Sequence, residues 1–348
     1  MPGDLSVKKI FELAIAKKAS DIHLVVGLAP MVRVGGSLIK LIEPALSGHA
    51  MESIVFSLLE QRQKERLLRN KELDISHETA SGRRFRLNVY YERGNLGLAA
   101  RVISQDIPTL EDIDIPPVVP RLLTLRQGLI LVTGPTGCGK STTLAAMVEA
   151  INKEQNRNII TLEDPIEFLF TSKKSIVIQR QLGTDMLSFQ AGLKHIVRQD
   201  PDVIMVGEMR DLETIAATVT LAETGHLVLA TLHTYSAAQT IDRIIDTFPP
   251  YQQGQIKTQL SSVLAAVISQ RLVVSRQGGQ VAAREVLINS PAVANLIREN
   301  KISQIQTVIE TSRKEGMISM ERSLQHLHKE NIISEEEMQL HLLDPWTS

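Results

Sequence analysis

Residues 134–141 read Gly-Pro-Thr-Gly-Cys-Gly-Lys-Ser, and no other stretch constrains the fold of this chain as strongly. Their spacing is that of a P-loop, in which consecutive backbone N–H groups surround phosphate oxygens. An apolar run with strand-like branching, residues 129–133, precedes the loop, and residues 141–151 space their apolar side chains like a helix. Because a helix N-terminus favours an anion, this strand–loop–helix pattern predicts a nucleotide-binding site.

The predicted site binds ATP together with Mg²⁺. Lys140 would neutralise the β- and γ-phosphates, and the hydroxyl group of Ser141 would bind the metal ion. The residues predicted to contact the nucleotide are Gly134, Pro135, Thr136, Gly137, Cys138, Gly139, Lys140, Ser141 and Thr142.

Composition excludes several other classes of protein. The 348 residues are enough for about two domains. A net charge of −1 and only 3% aromatic residues argue against nucleic acid as a partner, which needs clustered basic residues and stacking platforms. The single cysteine excludes an intramolecular disulfide and a multi-cysteine zinc site, and it fits a reducing cytoplasm. Neither a transmembrane run nor a signal peptide is evident, so we expect membrane association only through partners.

A proline-rich segment divides the chain. Residues 105–120 contain four prolines and are predicted to form an extended linker, because proline lacks an N–H donor and disfavours helix before it. Residues 1–104 are predicted to form a small α+β domain. Its predicted helices are 5–18 and 51–70, and its predicted strands are 22–26, 31–34, 37–41, 85–91 and 97–103.

Residues 121–348 alternate apolar strands with amphipathic helices, which is the pattern of a parallel sheet flanked by helices. From residue 255 on, the pattern is mostly helical, with short strands at 272–274 and 283–288. The predicted fold class is α/β. The alternating strands are 129–133, 158–162, 203–206 and 227–231, and the helices are 141–152, 188–199, 211–223 and 236–246.

Two of these predicted strands end in carboxylates. Glu163 follows one apolar run, and Glu208 follows the run Val203-Ile-Met-Val-Gly207. At the carboxyl end of a parallel sheet such residues face the ligand crevice. The second run resembles a Walker B strand, whose terminal acid reaches Mg²⁺ or its water ligands, although an acid here is also a common helix cap. The P-loop in the same chain favours a Mg²⁺ site at Ser141 and Glu208, partly through water.

His226 and His233 bracket the strand predicted at 227–231. Their odd separation directs them to opposite faces of an extended strand, so they do not form a pair. His233 follows the carboxyl end of the strand and is the candidate sensor of the γ-phosphate, whereas the alternative is a purely structural histidine.

Arginines cluster in the first domain, in the run Arg83-Arg-Phe-Arg86 and at Arg101. Arg84 and Arg86 share one face of a predicted strand. One interpretation is a solvated strand edge. The other is that some of these arginines act as fingers, which stabilise transition-state charge from outside the P-loop domain.

Together these motifs resemble the type IV pilus retraction ATPases, the twitching-motility (PilT/PilU-type) branch of the secretion-ATPase superfamily. The resemblance covers residues 20–337. It rests on Ser20-Asp-Ile-His-Leu24, Gly134–Ser141, Thr161-Leu-Glu-Asp-Pro-Ile-Glu167, Gly207-Glu-Met-Arg-Asp-Leu-Glu-Thr214, Glu223-Thr-Gly-His-Leu227 and Thr231-Leu-His-Thr234.

The resemblance implies a PAS-like domain, a RecA-like ATPase domain and a homohexameric ring, with ATP and Mg²⁺ bound between the domains. It implies that Arg86 and Arg101 are interface arginines, that Glu163 activates water and that Glu208 belongs to the Mg²⁺ shell, although the two acids could exchange roles. Implied partners are an inner-membrane pilus platform protein and, as a further candidate, a paralogous pilus ATPase. The protein would then be cytoplasmic and peripheral at the inner membrane.

Two departures bear on the choice of function. The chain lacks the tetracysteine element usual in pilus assembly and type II secretion ATPases, which favours retraction over assembly. The family's motif Ala-Ile-Arg-Asn-Leu-Ile-Arg-Glu reads Ala292-Val-Ala-Asn-Leu-Ile-Arg-Glu299 here, so that Ala294 replaces an arginine. A main retraction motor and an accessory paralogue are therefore both open. A DNA-translocating RecA-like ATPase and a non-catalytic nucleotide-gated scaffold are the further alternatives.

Overall fold

The computed structural model describes residues 6–79, 82–103 and 106–343. The chain divides into two compact units, residues 1–105 and 106–348. The first contains an antiparallel sheet and the second a mixed, mostly parallel sheet, so the predicted α/β fold class is confirmed at this level. Among the described helices, none combines the length and the apolar character needed to cross a bilayer.

The first unit contains a six-stranded sheet of order β3-β2-β1-β6-β5-β4. Buried and exposed side chains alternate along β5, so that Phe85, Leu87 and Val89 enter the core whereas Arg86 lies on the other face. In the core, Phe11 of α1 stacks on Phe85, with ring centroids 4.3 Å apart. The elements are α1 (Val7–Ala16), β1 (Asp21–Val25), β2 (Met31–Val34), β3 (Ser37–Lys40), α2 (Gly48–Ser57), α3 (Gln61–Asn70), β4 (Glu72–Glu78), β5 (Arg84–Glu92) and β6 (Asn95–Val102).

The single helix predicted at 51–70 is wrong, because the structure has two helices there, α2 and α3. Glu60 begins the second one with a capping box, in which its backbone N–H donates to Oε1 of Gln63 at 2.9 Å. The strand β4 was not predicted, because its residues are mostly polar. Leu73 is the buried residue of this edge strand.

The second unit contains a seven-stranded sheet of order β13-β12-β7-β11-β10-β8-β9, in which only β13 runs antiparallel to its neighbour. Its strands are β7 (Gly128–Thr133), β8 (Asn158–Glu163), β9 (Ile176–Gln181), β10 (Val203–Val206), β11 (Leu227–Leu232), β12 (Leu264–Val274) and β13 (Gln280–Ile288). Its helices are α4 (Val119–Leu122), α5 (Lys140–Glu154), α6 (Phe189–Ile196), α7 (Leu212–Glu223), α8 (Ala237–Asp246), α9 (Pro250–Val263), α10 (Pro291–Arg298), α11 (Ile305–Thr311), α12 (Met320–Lys329) and α13 (Glu335–Leu342).

The central strands of this sheet are buried on both faces. Along β7, Leu129 and Leu131 enter one hydrophobic cluster, whereas Ile130 and Val132 enter the cluster that contains the buried side of α5. Such continuous apolar strands are typical of parallel sheets covered by helices. Because β7, β11, β10 and β8 run parallel, the segments that follow them lie along one edge of the sheet.

Two parts of this unit differ from the sequence-based expectation. The strand expected at 272–274 is the end of β12, which is 11 residues long, because the polar residues 269–271 interrupt the apolar pattern without ending the strand. The edge strand β9 was not predicted.

Residues Leu110 and Val119 of the proline-rich segment pack in the core of the second unit. The predicted domain boundaries stay a prediction.

Candidate active site

The loop between β7 and α5 contains three glycines with φ in the left-handed region, Gly134 at 143°, Gly137 at 81° and Gly139 at 85°. A Cβ atom at Gly134 would lie 2.3 Å from the carbonyl oxygen of Gln270, which no side chain permits. Glycine is therefore required at Gly134 by both the backbone conformation and the close approach of β12. In a P-loop, this backbone conformation lets successive N–H groups point toward an anion when one binds.

Lys140 is folded over this loop. Its Nζ donates to the carbonyl oxygens of Gly134 at 2.7 Å and Pro135 at 2.9 Å. Burial lowers the pKa of its ammonium group, and the carboxylates of Glu208 and Glu167 oppose that shift. The cation therefore lies at the loop, near enough to Glu208 and Glu167 for their charges to act on it.

His233 connects Lys140 with Glu208. Its Nδ1 is 3.3 Å from Nζ of Lys140, and its Nε2 is 2.9 Å from Oε1 of Glu208. Because an ammonium group only donates, we assign the acceptor role to Nδ1 and the proton to Nε2. The structure thus brings together three of the residues that the sequence analysis proposed for the site.

Arg210 contacts the same carboxylate from the other side, with Nη2 2.9 Å from Oε2 of Glu208. Burial alone would raise the pKa of Glu208, but the hydrogen bond and positive charge of Arg210, together with the hydrogen bond from His233, lower it overall. Glu208 is therefore held as an anion.

Glu163 lies at the end of β8, which is one strand farther from the P-loop strand β7 than β10, the strand that precedes Glu208. Its Oε1 accepts hydrogen bonds from the hydroxyl group of Thr161 at 2.6 Å and from Nε2 of Gln179 at 3.0 Å. Burial raises the pKa of its carboxyl group, and these hydrogen bonds oppose the shift only in part. Gly207, which precedes Glu208, lies against the backbone of Glu163, since a Cβ atom there would be 3.4 Å from its Cα.

The chemistry of the donors fits ATP with Mg²⁺. Ser141 and Thr142 lie in the first turn of α5, where the helix N-terminus and the loop N–H groups favour phosphates. The hydroxyl group of Ser141 and the carboxylate of Glu208 are hard oxygen donors of the kind that Mg²⁺ prefers, with phosphates and water as its other ligands. Within the described residues, no cluster of three or more His, Cys, Asp or Glu forms a metal site of another kind.

Gln270 and Arg210 also lie at this site, although the sequence did not indicate a role for either. Gln270 is 1% exposed, and its side chain contacts the P-loop. The available signal was the run Ser269-Gln-Arg271 within an apolar strand, which is the same pattern of polar residues near a strand end that indicated Glu163 and Glu208.

Arg86 and Arg101 belong to the first unit and are direct cross-strand neighbours in β5 and β6. Nε of Arg101 donates to Oδ1 of Asp21 at 2.8 Å, and Nε of Arg86 lies 4.0 Å from Oδ1 of Asp74. The side chain of Arg101 is 70% exposed, and that of Arg86 is 45% exposed. Their role as arginine fingers stays a prediction.

Comparison with known proteins gives a consistent result over nearly the whole chain. Residues 4–340 match the family model described as "Type II/IV secretion system protein". The chain is 41% identical over 332 residues to the "Type IV pilus retractation ATPase PilT" of Pseudomonas aeruginosa, covering 95% of this chain and 96% of that protein. It is 36% identical over 338 residues to the "Type IV pilus ATPase PilU" of the same organism, covering 97% and 88%.

A solved structure also resembles this chain over nearly its whole length. It is the crystal structure of "the Pilus Retraction Motor PilT and Bound ADP", with a TM-score of 0.93, 42% identity and coverage of 98% of both chains.

Proposed function

Because this chain belongs to the type II/IV secretion system protein family, we propose that it is an ATPase that hydrolyses ATP to drive retraction of a type IV pilus. The observation that carries the proposal is the correspondence with the ADP-bound pilus retraction motor over 98% of both chains. The P-loop geometry supports the same conclusion, because Lys140, His233 and Glu208 are in contact beside it. On this proposal the first unit is a PAS-like domain and the second a RecA-like ATPase domain.

We assign the two acids different roles from their surroundings. Glu163 is the general base, because a carboxylate with a raised pKa accepts a proton from water more readily near neutral pH. Glu208 is the acid of the metal shell, because its lowered pKa keeps it anionic. Mg²⁺, when bound, would neutralise charge that develops on the phosphates. His233, between Lys140 and Glu208, is positioned to respond to the γ-phosphate.

The working form on this proposal is a homohexameric ring, in which Arg86 and Arg101 act as fingers at interfaces. Its partner would be an inner-membrane pilus platform protein, which would place the ATPase in the cytoplasm at the membrane surface. A paralogous pilus ATPase is the further candidate partner. These features come from the family resemblance and from the exposed pair of arginines.

The test combines hydrolysis with motility. The purified protein should hydrolyse ATP, and Lys140→Ala should abolish hydrolysis because the phosphates lose their main point charge. In a Pseudomonas strain that lacks PilT, the wild-type chain should restore pilus retraction and Lys140→Ala should not. Hydrolysis by Lys140→Ala within about tenfold of the wild-type rate would defeat the P-loop assignment, since loss of one preorganised electrostatic contact typically costs about 10²–10³ in rate.

A second candidate is an accessory retraction ATPase, which Ala294 favours. Ala294 lies half-buried on α10, between the buried residues Val293 and Ile297. Expression in a strain that lacks PilU separates the candidates, because an accessory protein should restore motility there and not in the strain that lacks PilT. Ala294→Arg, which restores the family's residue, should change which strain is rescued if this position decides between the two roles.

A further inference from the structure

One side chain of β12, Gln270, connects two parts of the phosphate-binding segment. Its Nε2 donates to the carbonyl oxygen of Cys138 at 2.7 Å, and its Oε1 accepts from the hydroxyl group of Thr143 at 2.9 Å. Both bonds are buried, since Gln270 is 1% exposed and Thr143 is also 1% exposed. We propose that Gln270 is a positioning residue that orients the N–H groups of the loop toward the nucleotide's phosphates, an inference that rests on the proposed nucleotide site.

The Cys138–Gly139 peptide explains how Gln270 acts. A trans peptide is planar, and its C=O and N–H groups point in opposite directions. The bond from Gln270 holds the C=O of Cys138 toward β12, so the N–H of Gly139 points away from β12. Gly139 has a left-handed φ of 85°. Alternation of right-handed and left-handed residues along a loop directs successive N–H groups to one side and so forms an anion-binding nest.

The second bond fixes the helix relative to the loop. Thr143 lies in the first turn of α5, two residues after Ser141. A single amide group therefore connects the end of the loop with the helix whose N-terminus receives the phosphates. The backbone of Gln270 also defines the start of the loop, because its carbonyl oxygen occupies the space that a Cβ atom at Gly134 would need.

The amide group is the chemistry that this position requires. The carbonyl group of Cys138 needs a donor and the hydroxyl group of Thr143 needs an acceptor, and a glutamine side chain supplies both. A glutamate of the same size would keep the bond to Thr143 and lose the donor to Cys138. It would also bring a negative charge close to the phosphates. A leucine would supply neither bond.

These differences define the experiment. ADP and inorganic pyrophosphate are titrated calorimetrically into wild-type protein, Gln270→Glu, Gln270→Leu and Thr143→Val, at a temperature well below the Tm of each. We expect both Gln270 variants to bind ADP at least about tenfold more weakly, the scale of a buried hydrogen bond left unmade. Pyrophosphate affinity should fall by the same factor because the loop contacts phosphates only. Thr143→Val should show a smaller loss, since it removes one of the two bonds.

Asn289→Leu is the matched control. The amide group of Asn289 donates to the carbonyl oxygens of Ser261 at 2.9 Å and Leu264 at 2.8 Å, at the opposite end of β12. This variant should lower the Tm and leave the affinity of the folded protein for ADP unchanged. If it weakens ADP binding as much as Gln270→Leu does, the effect reflects general destabilisation and the positioning role is overturned.

Two further outcomes separate the inference from the function on which it rests. If Lys140→Ala loses ADP affinity while both Gln270 variants bind within about twofold of wild type, well below the effect of one buried hydrogen bond, the positioning role is wrong and the nucleotide site stands. If Lys140→Ala also binds ADP and pyrophosphate like wild type, the nucleotide site itself is wrong. Gln270→Glu keeps the experiment decisive should Gln270→Leu fail to fold, because it is nearly isosteric.

Discussion

At the scale of single residues, Glu163 and Glu208 show how neighbouring strand ends give carboxylates opposite properties. Burial dominates at Glu163, whose hydrogen-bond partners Thr161 and Gln179 are neutral, and the pKa is raised. Glu208 has Arg210 and His233 as partners, and the pKa is lowered. The sequence alone left the roles of the two acids interchangeable, because Gln179 and His233 become their partners only when the strands pair.

We expect Glu163→Gln and Glu208→Gln each to slow steady-state hydrolysis by about 100-fold or more while leaving nucleotide binding largely intact. The two variants should differ in pH dependence. Only the deprotonated carboxylate of Glu163 accepts a proton, so its raised pKa moves the acidic limb of the wild-type kcat profile above the ordinary glutamate value of 4.5. The residual activity of Glu208→Gln should keep that limb, and that of Glu163→Gln should lose it.

Replacing Mg²⁺ by Mn²⁺ over a concentration series distinguishes the acids by a second route. The metal requirement of Glu208→Gln should change more, because its proposed role is to hold the ion. Normal turnover by either variant would mean that this acid only caps a strand end. If both variants lost the acidic limb of the kcat–pH profile equally, a group other than Glu163 would be responsible for that limb.

At the scale of elements, the sequence predicted the strand–loop–helix unit and the three apolar strands after it, 158–162, 203–206 and 227–231, because continuous apolar runs and glycine spacing are local signals. It did not predict β9 or the full length of β12. In β12, Ser269-Gln-Arg271 looks like the end of a strand, yet these polar groups are buried by partners distant in sequence, such as Thr133 and Thr143. A polar residue whose partner lies more than a hundred positions away leaves no periodic signal.

Two glycines in different elements should respond oppositely to alanine. Gly134 combines φ of 143° with a backbone oxygen 2.3 Å from the position of a new Cβ atom. Gly134→Ala should therefore destabilise the protein and abolish nucleotide binding. Gly254 lies within α9, with no atom within 4 Å of its Cβ position, and Gly254→Ala should stabilise the fold by about 0.5–1 kcal/mol.

Thermal and denaturant unfolding measure both changes, and ADP titration measures the binding of each folded variant. Gly254→Ala serves as the control, because it adds the same methyl group without touching the loop. Wild-type stability and ADP affinity in Gly134→Ala would contradict the close packing of β12 against the P-loop.

At the scale of the whole molecule, the proposed catalytic groups are divided between two compact units. Lys140, Glu163, Glu208 and His233 belong to the second unit, and Arg86 and Arg101 belong to the first. Arg101 is restrained by its ion pair with Asp21. Burial raises the pKa of the Asp21 carboxyl group, but the hydrogen bond from Arg101 helps to lower that pKa overall. An exposed, restrained arginine is suited to act on a phosphate that another part of the assembly binds.

The division leads to a prediction about assembly. Arg86→Ala and Arg101→Ala should each reduce hydrolysis by about 10³-fold or more. Stability should change by no more than about 0.5 kcal/mol for Arg86→Ala and by no more than about 1 kcal/mol for Arg101→Ala, which also loses the ion pair with Asp21. Specific activity of the wild type should rise with protein concentration, because subunits complete one another's sites. The measurements are steady-state hydrolysis over a dilution series and the free energy of unfolding of each variant.

Mixing two inactive variants tests whether the fingers act between subunits. In a mixture of Lys140→Ala with Arg101→Ala, some interfaces join an intact P-loop from one subunit to an intact Arg101 from another. Partial activity should then return, whereas neither variant alone has such an interface. Lys140→Ala mixed with a Lys140→Ala, Arg101→Ala double variant is the matched control and should stay inactive, because no intact P-loop is present. Absence of recovery in co-assembled rings would indicate that Arg101 acts within its own chain or that hydrolysis requires coordinated firing of the subunits. A monomer that is fully active at every protein concentration would contradict the proposed motor.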